Sequence, residues 1–278
     1  MSFLPLSLLC GTSRVILGTA LWLTSSILAG CGDDDSGSPD AGVVGDAGDS
    51  GVTATAGGRW PAAFEAKGVA ASCDPSAAEL AAMPQVQVGD SVLYVGYVQA
   101  NANNQHPVLL RYDGGRKVYC VRHETQAPDG RALGLSWDGG EYAYVVYSVD
   151  GGGTDLEGKE GWLSSYAPGA ISGGGPKVSV IGRVRAQDGA LQTATFVIAV
   201  TSNNKVNTHA AKEAPVVADD GTVDFLGDSR FVPIDADGRS RMQCGNNAPF
   251  QSRYRFSGDL RTLVCADSSD CTSTMPCP

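Results

Sequence analysis

Apolar and polar positions between residues 91 and 200 fall in short alternating or continuous runs rather than at helical spacing. Residues 91–98, 141–149, 177–185 and 195–200 are rich in β-branched and aromatic side chains, which predicts strands. Asp-Gly steps separate these runs or follow them, at Asp113-Gly114-Gly115, Asp129-Gly130, Asp138-Gly139-Gly140, Asp188-Gly189, Asp220-Gly221 and Asp237-Gly238. Glycine supplies the positive φ that tight hairpins need, so the pattern predicts antiparallel pairs. In the run 141–149, Tyr144, Val146 and Ser148 would face one side and Ala143, Val145, Tyr147 and Val149 the other. Both sides are largely apolar, so this strand is expected to be central and covered twice. Residues 75–83 read differently: Pro, then Ala, Glu and Leu, predict one short helix.

The predicted fold class is therefore all-β with one short N-terminal helix. A loose internal echo adds a resemblance. Residues 89–95 lead into 107–114, residues 137–145 into 178–184, and residues 219–225 into 252–256; each time an Asp/Gly turn precedes a strand, and a second strand follows. The arrangement resembles the blades of secreted bacterial β-propeller proteins, which implies a small propeller of four or five blades by that likeness. A β-sandwich shares the same strand spacing and turn chemistry and is the alternative. The block 135–184 also resembles segments of uncharacterised exported bacterial proteins, through its Trp-Asp-Gly turn, Tyr-Val-Val-Tyr strand and Gly-Trp-Leu-Ser-Ser-Tyr loop. That likeness implies no activity.

The first 58 residues follow another logic. Residues 1–30 carry one formal charge, Arg14, followed by an apolar run that ends in small residues. This is the layout of a secretory signal. The run is shorter than the roughly 20 residues a transmembrane helix needs. Leu28-Ala29-Gly30-Cys31 resembles the lipobox of bacterial lipoproteins. The resemblance implies cleavage before Cys31, attachment of acyl chains to that residue, and a lipid anchor on the membrane. Gly32, not aspartate, follows the cysteine, which by the family's sorting rule favours the outer membrane over the inner one. Residues 32–58 hold no aromatic, Lys or Arg, and are Gly, Ala, Ser and Asp in the main. Such a segment is expected to stay disordered and to act as a spacer with a reach on the order of 30 Å. The expected organisation is a signal peptide over 1–30, a lipidated cysteine and linker over 31–58, and a β-rich domain over 59–278.

The chain has 20 Lys and Arg against 30 Asp and Glu, for a formal charge of −10. Removing Arg14 with the leader would take −10 to −11. That sign argues against nucleic acid as a partner. It leaves an envelope protein, glycan or peptide open. Six cysteines remain after Cys10 and Cys31: Cys73, Cys120, Cys244, Cys265, Cys271 and Cys277. An even set in an exported chain predicts disulfides. The preferred pairing is Cys73–Cys120, Cys244–Cys265 and Cys271–Cys277. Without a CxxC step and with only His106, His123 and His209 scattered along the chain, a zinc site is not expected.

No G-x-S-x-G elbow, HExxH helix, P-loop or strand-linked G-x-G-x-x-G occurs. One segment carries candidate chemistry. After the predicted central strand come Asp150, Asp155, Glu157 and Glu160 together with Trp162 and Tyr166. Planar rings beside carboxylates suit sugar binding, and the same oxygens could hold Ca²⁺. A glycosidase would need two carboxyl groups at a set separation. Asp235-Ala236-Asp237-Gly238 half-matches a calcium loop and reads more simply as a turn. The sequence therefore predicts a lipid-anchored envelope protein acting as a binding or interaction module. The alternatives are a carbohydrate-active hydrolase and a purely structural envelope lipoprotein.

Overall fold

The computed structural model describes residues 53–54, 60–126, 129–150, 154–167 and 177–278. These belong to one structural unit, Asp49–Pro278. The leader, Cys31 and most of the linker lie outside the described residues. Among the described residues, no helix is long and apolar enough to cross a membrane.

The chain enters as β1 (Thr53–Ala54) and β2 (Ala62–Phe64), which pair at one edge of a sheet completed later. Helix α1 (Ala77–Ala82) follows. It starts at Ala77, after an extended Ser76, rather than at Pro75, because Ser76 and Glu79 cap each other: Glu79 N–H donates to Ser76 Oγ (3.2 Å) and Ser76 N–H to Glu79 Oε2 (2.6 Å). Pro84 limits it, forcing Met83 into the extended region. Next come β3 (Gln85–Val88), β4 (Ser91–Gln99), β5 (Gln105–Asp113) and β6 (Arg116–Arg122), an antiparallel meander of four strands in sequence order. Val88 pairs with Ser91 and Asp113 with Arg116, so each of those turns spans two residues. Gly114 and Gly115 both have positive φ, at 55° and 81°, as a primed turn requires.

Strands β7 (Gly130–Trp137), β8 (Tyr142–Asp150), β9 (Lys177–Arg185) and β10 (Leu191–Val197) join β1 and β2 in a six-stranded sheet of order β1-β2-β7-β8-β9-β10. Three predicted strands sit within a residue of their expected bounds here or in β4. The run 195–200 does not stay in one strand. It breaks at Ile198, whose carbonyl accepts from Ile234 N–H (3.1 Å), and β11 (Ala199–Val200) turns into a different sheet.

Strand β11 pairs with β12 (Val206–Asn207) and with β16 (Val232–Pro233). Strands β13 (Ala210–Ala211), β14 (Val216–Val217), β15 (Val223–Ser229), β18 (Phe250–Phe256) and β19 (Leu263–Ser268) make a five-stranded sheet, and β17 (Gln243–Cys244) pairs with β20 (Cys271–Thr272). The fold is all-β, the pairings between these strands are antiparallel and none of these sheets closes on itself.

The six-stranded sheet is covered on both faces, as the apolar pattern of β8 requires. On one face β3, β4 and β5 pack against β7, and the Tyr147 hydroxyl meets His123 Nδ1 at 2.6 Å. On the other face β13 and β14 lie against β7, β8 and β9, and the Tyr144 hydroxyl donates to the Gly258 carbonyl (2.6 Å). Val145, Val146, Tyr147 and Val149 are all buried. At about 25 cal/mol per Å² of apolar surface removed from water, each such side chain contributes roughly 1.5–3 kcal/mol. A second, smaller apolar cluster lies under α1, where Met83, Val108 and Leu110 pack with Leu80 and Val69.

All six cysteines of the body are paired, but not all as expected. Cys73–Cys120 forms. The other two bridges are Cys244–Cys271 and Cys265–Cys277, which corrects the pairing Cys244–Cys265 and Cys271–Cys277. The reason is register: β17 and β20 place Cys244 directly opposite Cys271. Cys265 sits in β19, and the C-terminal segment returns beside it, with Ala266 N–H donating to the Met275 carbonyl (2.8 Å).

Candidate functional site

The loop that carries the predicted site residues leaves the end of β8. Its described part, 154–167, is fastened to the body by the groups the sequence singled out. Asp150 closes β8 and accepts from Lys177 Nζ on β9 (2.8 Å). Asp155 accepts from Thr125 N–H (2.9 Å), Thr125 Oγ1 (2.7 Å) and Gln126 Nε2 (2.8 Å). Burial alone would raise its carboxyl pKa; these hydrogen bonds outweigh that and hold it below the usual range. Glu157 Oε1 accepts from Tyr166 N–H (3.0 Å). Glu160 turns outward at a φ of 57° and pairs with Arg261 (2.7 Å).

The two aromatics are packed rather than displayed. Trp162 Nε1 donates to the Ala236 carbonyl (3.1 Å), and its ring lies 6.0 Å from that of Tyr254 and 5.9 Å from that of Phe256. Tyr166 is buried. The four carboxylates thus reach separate sets of partners, and no two of them share a donor. Among the described residues, no group of three or more His, Cys, Asp or Glu is placed to hold a metal ion. Asp235 and Asp237 also serve the backbone: Asp235 Oδ1 accepts from Ala236 N–H, Thr274 N–H and Ser273 Oγ. Asp237 accepts from Arg239 N–H and Ser240 N–H.

One residue the sequence reading missed organises this loop from below. Glu124 is fully buried. Its carboxylate accepts from Asp155 N–H (2.7 Å), Gln126 N–H (2.7 Å) and Thr154 Oγ1. The exchange with Asp155 is reciprocal: each carboxylate ties down the segment that bears the other. Buried acceptors of this kind are satisfied by several short donors. Gly161 allows the loop to lie flat on β10, since a Cβ there would stand 2.1 Å from the Ala194 carbonyl oxygen.

A cleft of about 110 Å³ opens where β7 and β9 begin and β8 ends. It is lined by Ala66, Lys67, Asp129, Arg131, Leu133, Ser148 and Lys177. The register explains the assembly. Arg131 lies across from Ser148, and Asp150 across from Lys177. Lys67 comes from the turn after β2, closed by Gly68 N–H to the Glu65 carbonyl (2.9 Å). Arg131 is fixed: Nε donates to Gln105 Oε1, Nη1 donates to the Lys67 carbonyl (2.9 Å), and the guanidinium lies 4.8 Å from the centre of the Tyr97 ring. Asp129 Oδ1 is used by Gln105 N–H (2.8 Å). Lys67 Nζ has no ion-pair partner among the described residues. Three cations from separate segments thus meet one committed carboxylate, with Asp150 at the rim on Lys177. Only this last residue of the predicted set borders the cleft.

Compared with protein-family models, curated proteins and solved structures, the chain matches none.

Proposed function

We propose that this chain is an exported lipoprotein held at the cell envelope through Cys31, with its β-rich body acting as a binding module. The single observation that carries the reading is the division of the cysteines. Cys31 stands alone at the end of an apolar leader in Leu28-Ala29-Gly30-Cys31, while the six of the body form three bridges. Three disulfides fit an oxidising compartment, and a lipobox fits a route to it. Two or more acyl chains then give durable anchoring, at about 0.8 kcal/mol per buried CH₂. The acidic segment 32–58 serves as the spacer that lifts the body off anionic headgroups. By the sorting rule, Gly32 favours the outer membrane.

Hydrolysis at the 150–166 loop is disfavoured because the carboxylates of Asp155, Glu157 and Glu160 are engaged by protein donors. Unequal sheets of six, five, four, three and two strands, with the largest covered on both faces, favour layered stacking of the sandwich kind over repeated blades. The test is labelling with a tagged fatty acid in an expressing bacterium. Wild-type protein takes up label and fractionates with membranes, and Cys31→Ser does neither. Equal labelling and fractionation of both proteins would overturn the anchor.

A further inference from the structure

We infer that the cleft between the ends of β7, β8 and β9 is a binding site for a small oxyanion group, a carboxylate or a phosphoryl group, borne by the module's ligand. The inference rests on the reading of the body as a binding module and names the chemistry of its ligand.

The first argument is charge. In a chain with ten more acids than bases, Lys67, Arg131 and Lys177 converge on one small cavity. Asp129 lines the cavity, Asp150 pairs with Lys177, and Glu65 Oε1 accepts from Lys67 N–H (3.1 Å). Asp129 spends Oδ1 on a backbone N–H, and Asp150 neutralises Lys177. With Asp129 still charged, the three cations exceed these two carboxylates by one. Such a concave, positively lined spot concentrates field and attracts anions against the acidic background of the rest of the surface.

The second argument is preorganisation. Arg131 is anchored on two sides and stacked on Tyr97, so little rotamer freedom is lost when its remaining N–H groups meet a ligand. A planar guanidinium held in this way matches the two oxygens of a carboxylate or phosphoryl group. The Ser148 hydroxyl, across the ladder from Arg131, supplies a neutral donor, and Lys67 Nζ is a cation with no ion pair among the described residues. Leu133 gives the cavity an apolar wall. A volume of about 110 Å³ is several times the ~30 Å³ share of one water. It takes one oxyanion group, while the remainder of the ligand extends outward.

The experiment is titration of the full-length protein with inorganic phosphate and, separately, with acetate at constant ionic strength, followed by calorimetry and by amide shifts of residues 129–133 and 148. Wild type is expected to saturate with at least one probe, and the preferred probe tells phosphoryl from carboxylate. Lys67→Gln leaves every described fold contact in place and should weaken binding about threefold. Arg131→Gln should weaken it about tenfold, the loss of one charge-assisted hydrogen bond. Melting curves of the unliganded variants separate this from unfolding, and Lys67→Gln alone decides if Arg131→Gln is unstable. No saturable response to either probe, or equal affinity in wild type and Lys67→Gln, would overturn the site. Cys31→Ser should bind the probes as wild type does, so failure of the cleft and failure of the anchor are read separately.

Discussion

Acid should loosen the body through His209. The ring is buried between the central sheet and the five-stranded sheet, 5.9 Å from Phe225 and 6.3 Å from Tyr254. Ser179 Oγ donates to the His209 carbonyl (2.9 Å), which leaves that hydroxyl to accept from Nδ1–H (3.3 Å). Nε2 is then the bare nitrogen, 2.8 Å from Ser252 Oγ, and accepts its proton. Burial penalises the charged ring and pushes its pKa from 6.5 down to about 4, against a small opposing pull from Asp228. The unfolded chain therefore takes up this proton first as pH falls. His209 costs nothing above about pH 6.5. Stability is lost between about 6.5 and 4, at close to 1.4 kcal/mol per pH unit. A gap of about 2.5 amounts to about 3 kcal/mol in all. The assay is denaturant unfolding across that window for wild type and His209→Gln, which keeps a polar side chain that cannot gain charge. His123 is also lowered by burial, and it cancels in the comparison. The carboxylates held low, Asp155 and Asp224 among them, lose their contribution below about pH 4, their ordinary range. Parallel pH dependence in the two proteins between 6.5 and 4 would refute the assignment.

Other outcomes follow from the same geometry. Glu124→Gln sets an amide N–H₂ against at least one of the three donors and should cost about 1–3 kcal/mol; an unchanged melting temperature would contradict the buried exchange with Asp155. Gly161→Ala drives a methyl into the Ala194 carbonyl. It should lower stability by about 1–3 kcal/mol and shift Trp162 fluorescence, and an undisturbed spectrum at full stability would show that the loop does not lie on β10. Non-reducing peptide mapping should recover Cys244 linked to Cys271 and Cys265 to Cys277. Removing the latter pair as Cys265→Ser/Cys277→Ser should cost about 2–4 kcal/mol; a Cys244–Cys265 peptide would contradict the register of β17 and β20.

What the sequence discloses here is local. Strands β4, β8 and β9 are legible because each β-branched and aromatic run borders a glycine turn, at Gly89, at Gly139-Gly140 and at Gly189. The covered position of β8 is legible because both of its faces are apolar. Strand β7 is harder to see, since Gly130 and Gly134 dilute its pattern. Gly134 is there because Ala63 and Phe64 press against it; a Cβ would lie 2.6 Å from the Ala63 carbonyl oxygen. Partner choice among the cysteines depends on which strands meet, and no spacing along the chain reports that. The carboxylates and rings after β8 stand out along the chain, but a carboxylate that caps a backbone N–H and one that binds a ligand look alike in one dimension. Lys67, Arg131 and Lys177 stand far apart in the chain and form no motif. Only the ladder of β7, β8 and β9 brings two of them to one end, where the turn after β2 delivers the third.

The most direct test of the central proposal is the intact mass of native protein extracted from membranes of an expressing bacterium. A chain that begins at Cys31, carries acyl groups on that residue and retains three disulfides is the expected species. A chain that still begins at Met1 and bears no acyl group would contradict it.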